Sequence, residues 1–436
     1  MENLKFDLSK KSGTFKMMNC VNNGPVCRRH TSSQKRSNFT TYKEARIPYA
    51  RNHDAAFFST YGGEHTVDIT AIFPDFDADP TLPESYDFAV TDEYILVTLD
   101  AGTKTFYRLG QKIEHQIKKY GTIPPKNFEK WAVVCEHIIR HYTEGWADGM
   151  HLDMPYWEIW NEPDLDEDDC PDKRTWGGTK AQFFDLYEIT AKHLKACFPH
   201  LKIGGPALAW REEWAEDFIC EMHKRSVPID FFSWHIYTIE PCYMMDRANN
   251  IREFLDKYGY ENAESICNEW NYVKDWGDGF IDTILTIIGK KGAAFTMACM
   301  TCCQQGSVDM LMYYDARPAT FNGLFDFYTL RPIKGYYPFL WFGKLYDMEA
   351  EVLCENKIPG IYTLCGVDKD GKTTSIITYY TDTENAADSS FKVDFGRDGE
   401  YEIYLVDEEH NGELVKTTSE LTFTMKPNTF MMIKEK

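Results

Sequence analysis

The chain has 436 residues, long enough for one barrel of about 250 residues or more plus a smaller domain. Its net charge of −21 excludes nucleic acid as an expected partner and favours neutral over polyanionic sugars. No run of 18 apolar residues and no apolar core of signal-peptide length occurs, and 13 cysteines show no disulfide framework. We therefore expect no membrane span or membrane partner, and a cytoplasmic location with reduced thiols.

Short apolar segments that resemble strands alternate with helical patterns over residues 15–315. Each segment is rich in β-branched or aromatic residues and has a loop at its end. The eight strand candidates, in chain order, are Phe15–Cys20, Ala45–Ala50, Lys104–Leu109, Tyr156–Trp160, Leu201–Gly205, Ile229–Ile236, Ser265–Glu269 and Val308–Tyr314.

The stretches between these candidates carry apolar residues at the helical period. The predicted helices are Lys126–Glu144, Ala181–Cys197, Glu212–Lys224, Ala248–Tyr258, Phe280–Cys303 and Lys334–Tyr346. Eight strand–helix units in about 300 residues point to an α/β fold with a parallel (β/α)8 TIM barrel, over residues 15–348. Periodicity alone does not separate a barrel from an open sheet, so the decision depends on the motifs described below.

The last part of the chain, residues 349–436, has short strands and turns and predicts a small C-terminal β-sandwich. Turn signals occur at Asp368–Gly371, Gly396–Gly399 and Asn411–Gly412. Residues 1–14 contain one further strand candidate, Leu4–Leu8, which we expect to join the sandwich.

Two glutamates stand directly after predicted strands, where barrel enzymes carry their catalytic groups. Glu162 ends the fourth strand and is followed by Pro163, which cannot continue the ladder, while Glu269 ends the seventh. Strands four and seven lie on opposite sides of a barrel mouth, so the two carboxyls can face one another across a glycosidic bond.

Glu158, on the fourth strand, is interpreted as a structural charge in a buried polar network.

The segments WEIWNEPD and ICNEWN resemble glycoside hydrolase family 39, the β-xylosidase and α-L-iduronidase family of retaining barrel glycosidases. The resemblance covers the whole chain, including the trailing sandwich. It implies that Glu162 is the general acid/base and Glu269 the nucleophile, with Asn161 holding the hydroxyl beside the reacting carbon. No metal or other cofactor is expected. Members of the family often self-associate, so a homo-oligomer is an expectation of the resemblance.

The same resemblance extends to the sixth and seventh strands. The family's Ser-x-His-x-Tyr pattern matches residues 233–237, which implies that His235 lines the sugar site and that Tyr237 hydrogen-bonds the nucleophile. A donated hydroxyl should keep the pKa of Glu269 low, while that of Glu162 should be raised. Trp270, directly after the second glutamate, is added to the expected substrate-binding residues.

The second and eighth strands depart from the family pattern. His53 matches the family's histidine after strand two and is expected to contact substrate, but Asp54 replaces a glycine there. After strand eight, Tyr314, Asp315 and Arg317 replace an aromatic strand followed by a Ser–Asp loop, which suggests a different sugar pocket. Arg317 is expected to reach a carboxylate or hydroxyls of the substrate, with a salt bridge inside the loop as the alternative.

The sequence thus predicts a retaining glycoside hydrolase that cleaves small oligosaccharides through a covalent glycosyl-enzyme intermediate and is exo-acting in the manner of a β-xylosidase. Another glycone stays open: arabinose, glucose, a uronic acid or a released disaccharide. A glycan-binding barrel without activity is a weaker alternative, since both glutamates are present. A metal-dependent hydrolase is disfavoured because no HxH motif follows a strand, and the cluster Cys299, Cys302 and Cys303 is interpreted as helix packing.

Overall fold

Eight parallel strands close into a barrel in which each strand pairs with the next one along the chain and the last pairs with the first. The computed structural model describes residues 2–26, 37–53 and 67–436. Strand β1 (Glu2–Gly13) belongs to a second sheet. The barrel strands are β2 (Met17–Asn22), β3 (Tyr49–Arg51), β4 (Lys104–Leu109), β5 (Tyr156–Ile159), β6 (Lys202–Leu208), β7 (Phe231–Thr238), β8 (Glu264–Tyr272) and β9 (Met310–Tyr313). The predicted TIM barrel is therefore confirmed.

Apolar side chains fill the inside of the barrel below its mouth. A buried cluster takes residues from seven of the strands, among them Cys20, Phe106, Tyr156 and Phe231. The rings of Phe106 and Tyr156 stack with their centroids 5.2 Å apart. Because this layer is closed, a ligand is expected only at the open end, where the carboxyl ends of the strands meet.

Helices surround the barrel; most bury one face against it, while α9 (Lys290–Gln304) is buried on nearly all sides between the barrel and the sandwich. They are α1 (Phe39–Ala45), α2 (Ile69–Ile72), α3 (Ala89–Asp100), α4 (Phe128–Thr143), α5 (Lys180–Cys197), α6 (Glu212–Lys224), α7 (Pro241–Lys257), α8 (Phe280–Ile287), α9 (Lys290–Gln304) and α10 (Tyr336–Leu345), with a 3₁₀ turn at Pro83–Ser85. A capping box in which Thr179 and Gln182 exchange hydrogen bonds starts α5. None of these helices, within the described ranges, is long and apolar enough to cross a membrane.

Several predicted elements differ from the observed ones in their bounds, and two of these differences have a local cause. The single helix expected over Phe280–Cys303 is divided into α8 and α9, because Gly289 takes an extended conformation that caps the second helix. The second barrel strand begins at Tyr49 rather than Ala45, since Ala45 is the last residue of α1 and Arg46 ends that helix in the left-handed conformation.

The remaining strands form a nine-stranded sheet that folds over as a β-sandwich. They are β10 (Ala350–Glu355), β11 (Ile361–Val367), β12 (Thr373–Tyr379), β13 (Ser389–Asp394), β14 (Tyr401–Val406), β15 (Asn411–Thr418), β16 (Thr422–Met425) and β17 (Thr429–Glu435). Strand β1 lies between β10 and β13. Asn411 and Gly412, expected in a turn, begin β15 instead.

Alternation along β12 shows how the sandwich is attached to the barrel. Ile377 packs in the sandwich core with Leu4 and Phe391, whereas its neighbour Ile376 packs in the core shared with the barrel and its helices. Strand β12 is therefore buried on one face by the other strands of the sandwich and on the other by the barrel and its helices. The domain boundaries after residues 14 and 348 stay a prediction.

Candidate active site

The end of β5 is held in a conformation that turns polar side chains into the barrel mouth. Trp160 and Glu162 both have positive φ, 73° and 47°, which L-residues adopt rarely and mostly where a surrounding structure fixes them. The backbone N–H of Glu162 donates to the carbonyl of Ala207 at 2.9 Å, and the Thr175 hydroxyl donates to the Glu162 carbonyl at 2.5 Å. Glu162 is 6% exposed, so its carboxyl is largely removed from water.

Arg51, the last residue of β3, joins the polar groups of the mouth. Its guanidinium donates to Glu158 Oε2 at 2.7 Å, to Asn161 Oδ1 at 2.6 Å and to Glu269 Oε2 at 3.3 Å. A fourth hydrogen bond, of 3.2 Å, reaches Asn22 Oδ1. One fully buried cation thus faces two carboxylates, and the predicted polar network around Glu158 is confirmed.

Asn161 is oriented by this network. Because its Oδ1 accepts from Arg51, its Nδ2 must point the other way, and this buried amide has no hydrogen-bond partner among the described residues. This buried amide group, beside two carboxylates, is suited to donate a hydrogen bond to a hydroxyl of a bound ligand.

Strand β7 presents every second side chain to the mouth, as strand alternation requires. The Ser233 hydroxyl donates to Glu158 Oε1 at 2.6 Å, His235 Nδ1 lies 2.9 Å from Glu162 Oε1, and the Tyr237 hydroxyl donates to Glu269 Oε1 at 2.5 Å. Tyr237 therefore contacts the carboxylate that the resemblance assigned to it.

A break in the register between β7 and β8 brings two consecutive side chains to the inside. Trp234 pairs with Cys267 and His235 with Glu269, so Asn268 is the extra residue of a bulge. Asn268 donates to Glu158 within the buried network, while Glu269 reaches the mouth. One oxygen of Glu162, one of Glu269 and one ring nitrogen of His235 all lie within 4.8 Å of one another.

The electrostatics of the two glutamates differ from the expectation. Burial raises the pKa of Glu269 to about 7, against an ordinary value of 4.5, and the negative charge of Glu162 contributes to the rise. Arg51 and the Tyr237 hydroxyl lower the pKa of Glu269 but do not outweigh the loss of water. The predicted low pKa of Glu269 is therefore wrong, because the loss of water around the buried carboxyl outweighs the charge of Arg51 and the hydroxyl that Tyr237 donates.

His235 is neutral at physiological pH. It is fully buried, and burial lowers its pKa to about 4. Its Nδ1 faces Glu162, and its Nε2 has no hydrogen-bond partner among the described residues. A neutral imidazole can hydrogen-bond one oxygen of Glu162 without placing a fixed positive charge beside that carboxyl.

Trp270 does not line the mouth, which contradicts the expectation. Because Glu269 points inward, the next residue of the strand points outward, and the Trp270 ring packs against Phe295 of α9 and Tyr313 of β9. The side chain is fully buried in the layer between barrel and helices. It is a core residue of this layer.

The loop after β9 carries the other predicted residues. Asp315 accepts from Asn23 Nδ2 at 2.9 Å, and Arg317 Nε lies 3.4 Å from Asp315 Oδ2. Of the two readings of Arg317, the salt bridge inside the loop is observed. Tyr314, Asp315 and Arg317 line a largely apolar cleft of about 910 Å³ together with residues of α8.

His53 lies at the same side of the mouth as this loop. Its ring meets the Tyr314 ring edge to face, with centroids 6.2 Å apart, and its carbonyl accepts from Arg108 at 2.8 Å. Asp54, where the sequence departs from the family's glycine, lies outside the described residues. Arg51 was not among the predicted site residues; its signal in the sequence is a basic residue at the end of an apolar strand, two residues before His53.

The three donors Glu162, His235 and Glu269 are also a conceivable ligand set for a divalent cation. The Arg51 guanidinium already lies 3.3 Å from Glu269, and Tyr237 donates a hydrogen bond to the same carboxylate. A cation between these groups would compete with Arg51 for Glu269 Oε2, the oxygen that lies 3.7 Å from His235 Nδ1, so the donor set fits a proton-transfer pair better than a metal.

A TIM barrel with two buried carboxylates facing one another at the ends of its fourth and seventh strands defines the class of barrel glycosidases. The sequence profile of glycosyl hydrolases family 39 matches residues 12–267, a region that contains Glu162 and ends just before Glu269. This chain belongs to glycoside hydrolase family 39.

Individual relatives agree with this assignment. A β-xylosidase of Geobacillus stearothermophilus is 30% identical over 183 residues, which are 39% of this chain and 34% of that protein. The chain thus spans about a third of the length of the curated relatives it matches. The fold is similar to that of a glucosidase from Croceicoccus marinus, with a TM-score of 0.80 at 22% identity over 100% of this chain and 99% of the other. It is also similar to that of a monomeric β-xylosidase from Caulobacter crescentus, with a TM-score of 0.71 at 15% identity; the match covers 100% of this chain and 99% of the other.

Proposed function

We propose that this protein is a retaining glycoside hydrolase that releases a terminal sugar, in the first place β-linked xylose, from small oligosaccharides or glycosides. The observation that carries the proposal is the approach of Glu162 and Glu269, whose nearest ligand atoms lie within 4.8 Å. Retaining enzymes hold their carboxyls about 5–5.5 Å apart, and inverting enzymes hold them about 6.5–9.5 Å apart to admit a water.

Glu269 acts as the nucleophile. Its ionised form is stabilised by the Arg51 guanidinium and the Tyr237 hydroxyl, so the carboxylate is fixed in place for attack on the anomeric carbon. Because burial raises the pKa of Glu269 to about 7, the reactive form becomes populated as the pH rises through neutrality.

Glu162 acts as the general acid and then as the general base. His235 Nδ1 holds Glu162 Oε1, and Oε2 is the oxygen that donates its proton to the leaving oxygen. Attack by Glu269 forms a covalent glycosyl-enzyme and removes its negative charge, so ionised Glu162 can then activate a water. The water releases the sugar with its configuration retained.

Asn161 binds the hydroxyl next to the anomeric carbon. Its Nδ2 is the donor that the Arg51 contact turns away from the network, and a hydrogen bond to the sugar would satisfy this buried group. His53, Tyr314, Asp315 and Arg317 are proposed to shape the glycone side, where the departure from the family pattern leaves the sugar open. The cytoplasmic location and the homo-oligomer stay predictions.

A panel of nitrophenyl glycosides, with product stereochemistry followed by NMR, tests the reaction. We expect retention, with the β-D-xyloside turned over fastest; a faster arabinoside, glucoside or uronide would reassign the glycone and leave the mechanism intact. Inversion would contradict the nucleophile, and tight binding without turnover would favour a glycan-binding barrel.

A 2-deoxy-2-fluoro glycoside with a good leaving group tests the residue roles. It should trap a covalent adduct that peptide mapping places on Glu269. Glu162→Ala should slow substrates with poor leaving groups much more than activated aryl glycosides, since only the former need the acid. Glu349→Gln, an exposed carboxylate of the sandwich side, is the matched control and should retain full activity. An adduct elsewhere, or equal losses on both kinds of substrate, would contradict the roles.

A further inference from the structure

The outer helical layer contains a group of metal-ligating side chains that plays no part in the proposed reaction. Glu136 lies on α4, and His193 and Cys197 lie one helical turn apart on the neighbouring α5. His193 Nε2 is 2.7 Å from Glu136 Oε2 and 3.9 Å from Cys197 Sγ, and the three ligand atoms lie within 4.8 Å of one another.

This arrangement is close to what a zinc ion requires. Zinc binds carboxylate oxygen and imidazole nitrogen at about 2.0–2.2 Å and thiolate sulfur at about 2.3 Å. In a tetrahedral site the ligand atoms are then roughly 3.3–3.6 Å apart. The observed separations of 2.7 and 3.9 Å bracket this range and the third lies within 4.8 Å, so side-chain shifts of roughly one ångström would complete the geometry.

The surroundings supply the outer contacts that a bound carboxylate needs. Arg140 Nε donates to Glu136 Oε1 at 2.7 Å, which fixes the carboxylate and leaves Oε2 turned toward His193. The charges of Glu136 and a Cys197 thiolate would balance Zn²⁺ while Arg140 stays paired. The His193 side chain is 32% exposed, so water can reach the fourth position.

We propose that Glu136, His193 and Cys197 form a zinc site that ties α4 to α5. These two helices flank β5, the strand that leads to Glu162. On binding, the Cys197 thiol loses its proton to the buffer and the sulfur becomes a ligand; the hydrogen bond between His193 and Glu136 is replaced by two bonds to zinc. Because the Cys197 thiol must lose its proton to bind zinc, affinity should fall as the pH is lowered.

The test uses the full-length protein after treatment with a chelator. Native mass spectrometry with added Zn²⁺ should show one ion per chain, and titration with Co²⁺ should give a thiolate-to-cobalt charge-transfer band in the near ultraviolet. Zn²⁺ should raise the melting temperature. Cys197→Ser and His193→Gln should each weaken zinc binding by about tenfold to a hundredfold.

Matched controls are Cys170→Ser and His223→Gln, a partly exposed cysteine and a histidine outside the cluster, which should bind as the unaltered chain does. Equal zinc binding by Cys197→Ser and the unaltered chain would overturn the proposal. Absence of the cobalt band from the unaltered protein would overturn it without any variant, which covers the case of a variant that fails to fold. Both readouts are independent of glycoside hydrolysis, so the failure of one proposal is distinguishable from the failure of the other.

Discussion

Replacement of the buried carboxyl at the centre of the site should change how stability depends on pH. In Glu269→Gln the side chain keeps its size and an oxygen that accepts from Tyr237, but it no longer titrates. We expect this variant to lose glycosyl-enzyme formation and yet to become more stable, relative to the unaltered protein, as the pH rises from about 4.5 to about 7.

The magnitude follows from the raised pKa. Below about pH 4.5 Glu269 is protonated in both the folded and the unfolded chain. Between 4.5 and about 7 the folded chain retains a proton that the unfolded chain releases, so the free energy of unfolding falls with rising pH. Above about 7 the loss is complete, at about 3 kcal/mol.

Urea unfolding of both proteins at intervals between pH 4 and 8 measures this difference. Titration of the remaining groups largely cancels in the comparison, and Glu349→Gln, which alters an exposed carboxylate, provides the control curve. A pH-independent difference between Glu269→Gln and the unaltered protein, or one that decreases with rising pH, would refute the reasoning that desolvation dominates at this carboxyl.

Three other substitutions test the contacts around it. Tyr237→Phe removes the donor 2.5 Å from Glu269, so the pKa of Glu269 should rise further and the acidic limb of the kcat/KM profile should move up by about one pH unit; an unmoved limb would contradict this. Arg51→Met leaves Glu158 and Glu269 without their buried cation and should cost about 3–5 kcal/mol in urea unfolding, whereas a cost below 1 kcal/mol would argue against the pairing. Trp270→Phe should lower stability by about 1–2 kcal/mol with KM unchanged, and a raised KM at full stability would restore Trp270 to the binding site.

Local patterns in the chain were sufficient for the succession of strands and helices, and the motifs around the two glutamates decided for a barrel. The alternation of short apolar strands with amphipathic helices follows from backbone and side-chain periodicity, and both are written in neighbouring residues. The same holds for Glu162 and Glu269, since a strand that stops at a polar residue in a parallel barrel leaves that residue at the mouth. His235 and Tyr237 stand two residues apart in their motif, so the alternation of side chains along a strand places both on the inside of the barrel.

Other features were decided only by contacts between segments far apart in the chain. The bulge at Asn268 is a mismatch between two strands, and neither strand alone shows it. The inward Glu269 and outward Trp270 follow from that bulge, and Arg51 gains its partners from β5 and β8. The pKa of Glu269 is set by everything that excludes water from the mouth. Periodicity is a property of neighbours along the chain, whereas burial and charge are properties of neighbours in space, which the tertiary structure alone brings together.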